Sequence, residues 1–116
     1  MTVNETIMTA LESFGDPVQY GEYIPPNGKA YPDKYYTFNY SIIGADYGDD
    51  SPVHERYLVQ VHLYCLRTYD SLERVKRTQH RLVEAGFTRP SVMLSFDEDG
   101  QHIVFECEIA AGVDDG

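Results

Sequence analysis

The chain has 116 residues and a mass of 13.2 kDa, which fits one ordinary domain and leaves no room for a second. Nine Lys and Arg residues against 19 Asp and Glu residues give a formal net charge of -10. This charge repels nucleic-acid phosphates and anionic lipid headgroups, so it argues against general nucleic-acid or membrane-surface binding. No apolar run approaches the roughly 20 residues that span a bilayer, and the first residues lack the pattern of a signal peptide. The sequence predicts a soluble protein made in the cytoplasm.

The first predicted element is a helix from Val3 to Ser13, because Ile7, Met8 and Leu11 recur there at helical spacing. Thr2 or Asn4 can cap its first turn. The turn residues that follow it, Gly15-Asp16-Pro17, end the helix.

A short strand over Val18–Tyr23 and a surface loop rich in Pro and Gly precede two long strands. Alternation predicts that the first long strand, Tyr35–Ile43, is half-buried and that Glu55–Cys65 is its partner. The loop between them is predicted over Ala45–His54. The side chains expected to face the core are Tyr36, Phe38, Tyr40 and Ile42 in the first strand and Tyr57, Val59, Val61, Leu63 and Cys65 in the second.

A second helix is predicted to begin at Asp70-Ser71, where a side-chain oxygen can accept from first-turn amides, and to end at Gly86. Its buried stripe is expected to be Leu72, Val75, Leu82 and Val83. The final hairpin joins Val92–Phe96 to Gln101–Ile109 through Asp97-Glu98-Asp99-Gly100, whose glycine supplies a positive φ. Ile103, Phe105, Cys107 and Ile109 are expected to face inward.

These elements predict an α+β fold: a single domain with a mostly antiparallel sheet and two helices packed on one of its faces. The domain is expected over residues 1–111, followed by a flexible acidic tail over residues 112–116. Both cysteines, Cys65 and Cys107, fall on the inward phase of strands and are predicted to be free and buried.

No catalytic residue, cofactor site or metal site is predicted. The four histidines show no pair at the spacings that place two imidazoles on one metal, and His62 and His80 are read as solvated surface residues. The chain lacks a nucleophile elbow, a catalytic cysteine signature and a phosphate-binding glycine loop. The carboxylates at the hairpin tip are open to water, which does not raise a pKa for acid chemistry.

The second helix carries Arg74, Arg77 and Arg81 at positions i, i+3 and i+7. They form either an ordinary solvated helix face or an edge that docks against acidic loops of a neighbouring copy, with Asp46, Asp49 and Asp50 as candidate contacts. Ten tyrosines and no tryptophan occur, and Tyr35, Tyr47 and Tyr64 lie on outward phases or in loops, where tyrosine supplies contact area at interfaces.

The succession YYTFNYSIIGADYGDDSP, ERYLVQVHLYCL, a helix ending in EAGF, and a hairpin around DEDG that closes in FECEI resembles the tail-terminator or tail-completion proteins of long-tailed bacteriophages. The resemblance covers roughly Ile7 to Ile109 and consists of a pattern of strands and turns without an invariant chemical motif.

This resemblance implies a structural virion protein at the head-tail junction. Such a protein forms a homo-oligomeric, hexameric ring that caps the tail tube, ends tail polymerisation and offers a surface for head attachment. The implied partners are other copies of the chain, the major tail tube protein and a head-completion or connector protein, with the virion as location and the host cytoplasm as the place of assembly. DNA would pass through the ring without specific binding, and Glu106 and Glu108 are candidate lumen-facing acids together with the acidic loop.

Two other readings stay open. Another neck subunit, such as a head-completion or connector protein, shares these features. A small-ligand-binding or regulatory α+β domain is the alternative from a different class, with a pocket lined by Tyr36, Phe38 and Tyr40.

Overall fold

The structure is a computed structural model that describes residues 1–47 and 52–112. Its elements are α1 (Val3–Glu12), β1 (Val18–Tyr20), β2 (Lys34–Tyr47), β3 (Pro52–Cys65), α2 (Leu72–Glu84), β4 (Ser91–Asp97) and β5 (Gly100–Gly112). The five strands form one sheet in the order β1-β2-β3-β5-β4. The β1-β2 pairing is parallel, and the other three pairings are antiparallel. The predicted α+β class is therefore confirmed.

The core lies between the sheet and the two helices. Inward side chains of β2, β3 and β5 form one apolar cluster with residues of α1 and α2, so both helices cover the same face of the sheet. The opposite face is called the open face below. The predicted inward residues of β3 are all buried, and Cys65 and Cys107 are free and buried as predicted. Apolar burial of this kind is the main source of folding free energy.

The first helix begins with a reciprocal capping box. The amide of Glu5 donates to the Thr2 hydroxyl, and the Thr2 amide donates to the Glu5 carboxylate, both at 3.1 Å. These bonds satisfy backbone donors that the first turn leaves without a partner. Thr2 is therefore the cap, whereas Asn4 accepts a hydrogen bond from the Tyr40 hydroxyl.

The second helix differs from its prediction at its start and on its buried face. The Ser71 side chain makes no capping bond, because its hydroxyl donates to the Gln101 side chain at 2.9 Å; Asp70 accepts from the Leu72 amide at 3.4 Å. Leu72 and Val83 are exposed rather than buried, since α2 turns Arg74, Thr78 and Gln79 towards the core together with Val75 and Leu82.

The end of α2 follows the prediction. Gly86 has a φ of +107°, its amide donates to the Val83 carbonyl, and the Phe87 amide donates to the Leu82 carbonyl. This pair of bonds is the Schellman motif, which requires a residue that tolerates positive φ.

The hairpin formed by β2 and β3 is longer than predicted. Both strands continue into the segment predicted as the loop over Ala45–His54, with a bulge between Ile43 and Ala45 in the register. Near this end of β2, side chains that point to the helical side of the sheet are no longer buried, and Ile42 is 53% exposed. The helices do not cover this end of the strand, which explains why the prediction of a buried Ile42 is wrong. The first strand, predicted over Val18–Tyr23, ends at Tyr20.

The turn between β4 and β5 depends on Gly100. Its φ is +143°, and a Cβ atom there would lie 2.5 Å from the Cys65 carbonyl oxygen. The prediction of a positive φ is confirmed, and the close approach of the β3 end adds a second reason for glycine. The Asp97 carboxylate accepts from the amides of Asp99 and Gly100 at 2.8 and 3.0 Å. Of the predicted tail, Gly112 belongs to β5 and residues 113–116 lie outside the described residues.

Candidate interaction surfaces

The row of arginines predicted on α2 is divided by the fold. Arg74 is buried, with its Nη1 atom 2.6 Å from the Asp16 carboxylate and its guanidinium 4.8 Å from the ring centroid of Phe14. The turn after α1 closes over this position, so Arg74 stabilises the packing of the helices and does not belong to an exposed edge. The prediction of Arg74 as an inter-subunit contact is corrected accordingly.

Arg77 and Arg81 remain exposed and form, with Lys76 and His80, a basic helix edge. The Arg77 guanidinium lies 5.3 Å from the Phe14 ring centroid, and His80 Nε2 lies 3.4 Å from Glu84 Oε1. The His80–Glu84 pair is local and exposed, so it costs little to rearrange when a partner approaches.

The predicted acidic contacts are only partly described. Asp46 lies in β2 opposite His54, and Asp49 and Asp50 lie outside the described residues. Glu106 and Glu108 lie on the open face of β5, because they alternate with the inward Phe105 and Cys107. Glu106 is exposed, and Glu108 is half-buried.

Across β3 and β5, the Glu108 carboxylate lies 3.9 Å from the Arg56 guanidinium. The pair is exposed, so it is a weak contact. The prediction that Glu106 and Glu108 face a lumen stays a prediction.

An exposed apolar strand edge was not predicted from the sequence. Met93, Leu94 and Phe96 of β4 are 66%, 54% and 60% exposed, and they form the β4 edge. Leu94 and Phe96 pair with Ile103 and Gln101, which places them on the helical side of the sheet, yet neither helix reaches over them. Met93 lies on the open face.

The β4 edge also lies at the end of the sheet, since β5 is the strand paired with β4 among the described residues. Arg67 holds the tip of this hairpin: its Nη1 atom donates to the Asp97 carbonyl at 2.8 Å, and its guanidinium lies 5.6 Å from the Phe96 ring centroid. Arg67 therefore contacts the tip of the hairpin, while the apolar side chains of the β4 edge remain exposed.

The open face carries an aromatic row that crosses three strands. Tyr35, Tyr64 and His102 are direct partners in the register of β2, β3 and β5. Their ring centroids are separated by 4.8 and 4.5 Å, with interplanar angles of 16° and 14°. These separations match the spacing of neighbouring strands, so the rings stand upright and stack on one another. Burial, with Tyr64 and Tyr31 beside it, raises the pKa of Tyr35 to about 12.

A histidine pair lies next to this row. His62 Nδ1 is 2.8 Å from His102 Nε2, and His62 Nε2 is 3.2 Å from the side-chain oxygen of Asn39. Burial, and the neighbouring His102, lower the pKa of His62. The prediction that His62 is a solvated surface residue is therefore wrong. The two histidines are 40 residues apart, so their spacing in the sequence does not reveal the pair. The alternation of each strand indicates that both side chains lie on the open face. Only the register between β3 and β5 shows that they are neighbours.

The three side chains expected to line a ligand pocket in the alternative function lie in different environments. Tyr36 and Phe38 are fully buried, and the Tyr36 hydroxyl lies 2.8 Å from the Thr78 hydroxyl. Tyr40 is half-buried and lines a cavity together with Val59 and Cys107. The ligand-binding alternative stays a prediction. Within residues 1–47 and 52–112, no group of three or more His, Cys, Asp or Glu side chains is arranged to hold a metal ion.

Neither cysteine has the environment of a nucleophile. Burial raises the pKa of the Cys107 thiol to about 12, and burial also raises the pKa of Cys65 despite the nearby Lys34 and Arg74. A nucleophilic cysteine needs the opposite shift, because the thiolate is the reactive form. Both thiols fit structural roles in the core.

No helix within the described part of the chain is long and apolar enough to cross a membrane. Comparison with protein-family models finds no match to this chain, and comparison with curated proteins finds no similar sequence.

Proposed function

We propose that this protein is a non-enzymatic, self-associating subunit of the head-tail junction of a long-tailed bacteriophage, and that it acts there as the tail terminator. In this role, copies of the chain form a ring that caps the tail tube and offers a surface to a head-completion or connector protein. The observation that carries the self-association is the β4 edge, with its exposed Met93, Leu94 and Phe96.

An exposed apolar strand at the end of a sheet tends to pair with another strand or another subunit. Its outer backbone groups are a template for pairing, and proteins that remain monomeric usually protect such an edge with charge, proline or a covering segment. The β4 edge has apolar side chains on both faces instead. Burying one such side chain contributes about 1.5–3 kcal/mol, so two or three of them can hold a neighbouring subunit.

The charge distribution favours a head-to-tail arrangement. The basic helix edge lies on the helical side of the sheet, whereas Glu106 and Glu108 lie on the open face. Two different surfaces of opposite charge on one chain support a heterologous contact, and repeated heterologous contacts close into a ring when the rotation permits. Steering by opposite charge also raises the association rate at low salt.

The assignment to the head-tail junction rests on the resemblance of the strand and helix pattern to tail-terminator proteins. The α+β architecture is compatible with that resemblance. The terminator role is proposed ahead of the connector role because the resemblance is to terminator proteins.

Self-association is tested by sedimentation of the purified chain and of two edge variants, Leu94→Lys and Phe96→Lys. The wild-type chain is expected to form a closed oligomer, and each variant is expected to associate at least about tenfold more weakly, since it loses more than about 1.4 kcal/mol of burial. Ile24→Lys is the matched control, because Ile24 is an exposed apolar residue in a loop. Equal association of the edge variants and the wild type would contradict the role of the β4 edge.

The biological role is tested in a phage that lacks the gene and is supplied with the wild-type or a variant chain. Overlong tails that fail to attach to filled heads are expected without the protein, and the edge variants should not restore normal length. Tails of normal length that fail to join heads would indicate a connector or head-completion protein instead. Normal infectious virions without the gene would exclude any structural role at the junction.

A further inference from the structure

The histidine pair brings two ring nitrogens from different strands within 2.8 Å of each other. We propose that His62 Nδ1 and His102 Nε2 together bind one divalent transition-metal ion that prefers imidazole ligands, Cu²⁺ most tightly. This inference is independent of the proposed function. It also revises the sequence-based prediction that the chain has no metal site.

The hydrogen bond to Asn39 prepares one nitrogen as a ligand. The Asn39 side-chain oxygen can only accept, so the proton of His62 lies on Nε2, 3.2 Å away. His62 Nδ1 therefore carries a lone pair that points towards His102. An oxygen acceptor on the distal nitrogen is the usual support of a metal-binding histidine, since it fixes the tautomer and the ring orientation.

The second nitrogen becomes a ligand without a net loss of protons. In the hydrogen-bonded pair, His102 Nε2 carries the proton that it donates to His62 Nδ1. When a metal ion enters, this proton moves through solvent to His102 Nδ1, and the lone pair of Nε2 becomes available. Both imidazoles then remain neutral, which is the form that binds metals.

The separation of the two nitrogens is that of a hydrogen bond. His62 Nδ1 and His102 Nε2 are 2.8 Å apart, which brings both nitrogens within reach of one ion but does not select among ions. To bind an ion, each ring turns its lone pair from its neighbour towards the ion. The preference for Cu²⁺ follows from the affinity order of nitrogen ligands for divalent ions, in which Cu²⁺ binds most tightly.

The surroundings leave the other coordination positions open. Both histidines are half-buried on the open face of the central strands, and Tyr64 stacks on His102 with ring centroids 4.5 Å apart. The stacking limits ring motion on one side. The exposed Glu106 is a diagonal neighbour of His62 on β5, so it adds negative potential near the site. Water completes the coordination, and bound metal links β3 to β5.

The test is calorimetric titration of the full-length chain with Cu²⁺, Ni²⁺, Zn²⁺ and Mg²⁺ at neutral pH. One Cu²⁺ ion per chain is expected, with Ni²⁺ and Zn²⁺ binding more weakly and Mg²⁺ not binding. His62→Gln and His102→Gln should each weaken the Cu²⁺ site at least about 100-fold, because loss of a supporting group alone costs about 10- to 100-fold. His80→Gln is the matched control, since His80 is an exposed histidine on α2.

A second readout separates a metal site from a structural hydrogen bond. The electron paramagnetic resonance spectrum of the Cu²⁺-loaded wild type should show coupling to two imidazole nitrogens, and each glutamine variant should lose one of them while keeping its circular dichroism spectrum. Asn39→Ala should weaken Cu²⁺ binding about tenfold and keep both nitrogens. Cu²⁺ binding that is unchanged in both glutamine variants, or a spectrum without two imidazole nitrogens, would overturn the proposal.

Discussion

The two faces of the sheet are stabilised by different interactions. On the helix-covered face, Phe38, Val61 and Phe105 are fully buried in one cluster with residues of α1 and α2. On the open face, Tyr64 and His102 remain half-buried and gain their contacts from neighbours on adjacent strands. The covered face depends on burial of apolar area, whereas the open face depends on the alignment of side chains across the strands.

This difference separates stability from interaction in the molecule. The covered face has no accessible apolar side chain at its centre, so it offers nothing to a partner. The open face and the β4 edge keep rings, imidazoles and apolar side chains accessible. Substitutions on the covered face should therefore lower the free energy of unfolding more than matched substitutions on the open face.

The largest contrast is expected between two ion pairs. The buried Arg74 pairs with the half-buried Asp16 at 2.6 Å, whereas Arg56 and Glu108 form an exposed pair at 3.9 Å. Asp16→Asn leaves the Arg74 guanidinium buried without its counter-charge and should lower the free energy of unfolding by about 3 kcal/mol. Glu108→Gln should lower it by less than about 1 kcal/mol. Urea denaturation at neutral pH measures both values, and equal losses would remove the distinction between the faces.

The next contrast uses two valines on neighbouring strands. Val61 is fully buried on the covered face, and Val104 is half-buried on the open face of the strand beside it. Val61→Ala removes two buried carbon atoms and leaves a cavity, so it should cost about 2 kcal/mol. Val104→Ala should cost less than about 1 kcal/mol, because much of its side chain is already in water. Thermal and urea denaturation of the two variants give the comparison.

The covered face was the predictable half of the molecule. A period of two in Tyr57–Cys65 and Ile103–Cys107 identifies the buried residues without knowledge of which strands pair. Likewise, Gly86 and Gly100 marked the end of α2 and the last turn, since both positions need a positive φ. Local pattern and local backbone chemistry are enough for these features.

The open face was not predictable to the same degree, because its contacts depend on register. His62 and Tyr64 lie on the outward phase in the sequence, but their partner His102 is known only once β3 pairs with β5. Arg74 and Arg81 are a similar case. They share one side of the helix in sequence, yet the turn after α1 buries only the first of them. The burial and the partners of such side chains depend on packing between elements that are distant in the sequence. The spacing of residues within one element does not reveal that packing.

A smaller effect is expected from the alkaline titration of the covered face. Burial raises the pKa of the Cys107 thiol from its usual 9.0 to about 12. The neutral Cys107 thiol contributes its full share of the folding stability below pH 9. This contribution is lost as the pH rises towards 12, because the thiol ionises in the unfolded chain before it ionises in the folded protein. At pH 10 the wild type should have lost about 1 kcal/mol more than Cys107→Ala, relative to pH 8. Urea denaturation at the two pH values under reducing conditions measures the difference, and identical pH dependence would contradict the burial of this thiol.

A last effect of similar size concerns the aromatic row on the open face. Tyr35 and Tyr64 stack with centroids 4.8 Å apart, and Tyr64 lies between Tyr35 and His102 in the register. A double-mutant cycle with Tyr35→Leu and Tyr64→Leu should give a coupling free energy of about 0.5–1.5 kcal/mol, which is the contribution of an aromatic pair beyond its buried area.

The same cycle for Tyr35→Leu and His102→Leu is the control. These side chains lie on strands that are not neighbours, with Tyr64 between them, and distant substitutions add without coupling to within about 0.5 kcal/mol. Coupling confined to the adjacent pair would show that the row is a series of direct contacts between neighbouring strands. Equal coupling in both cycles would instead mean that the open face responds as one unit, and the contrast with the covered face would then lie in exposure alone.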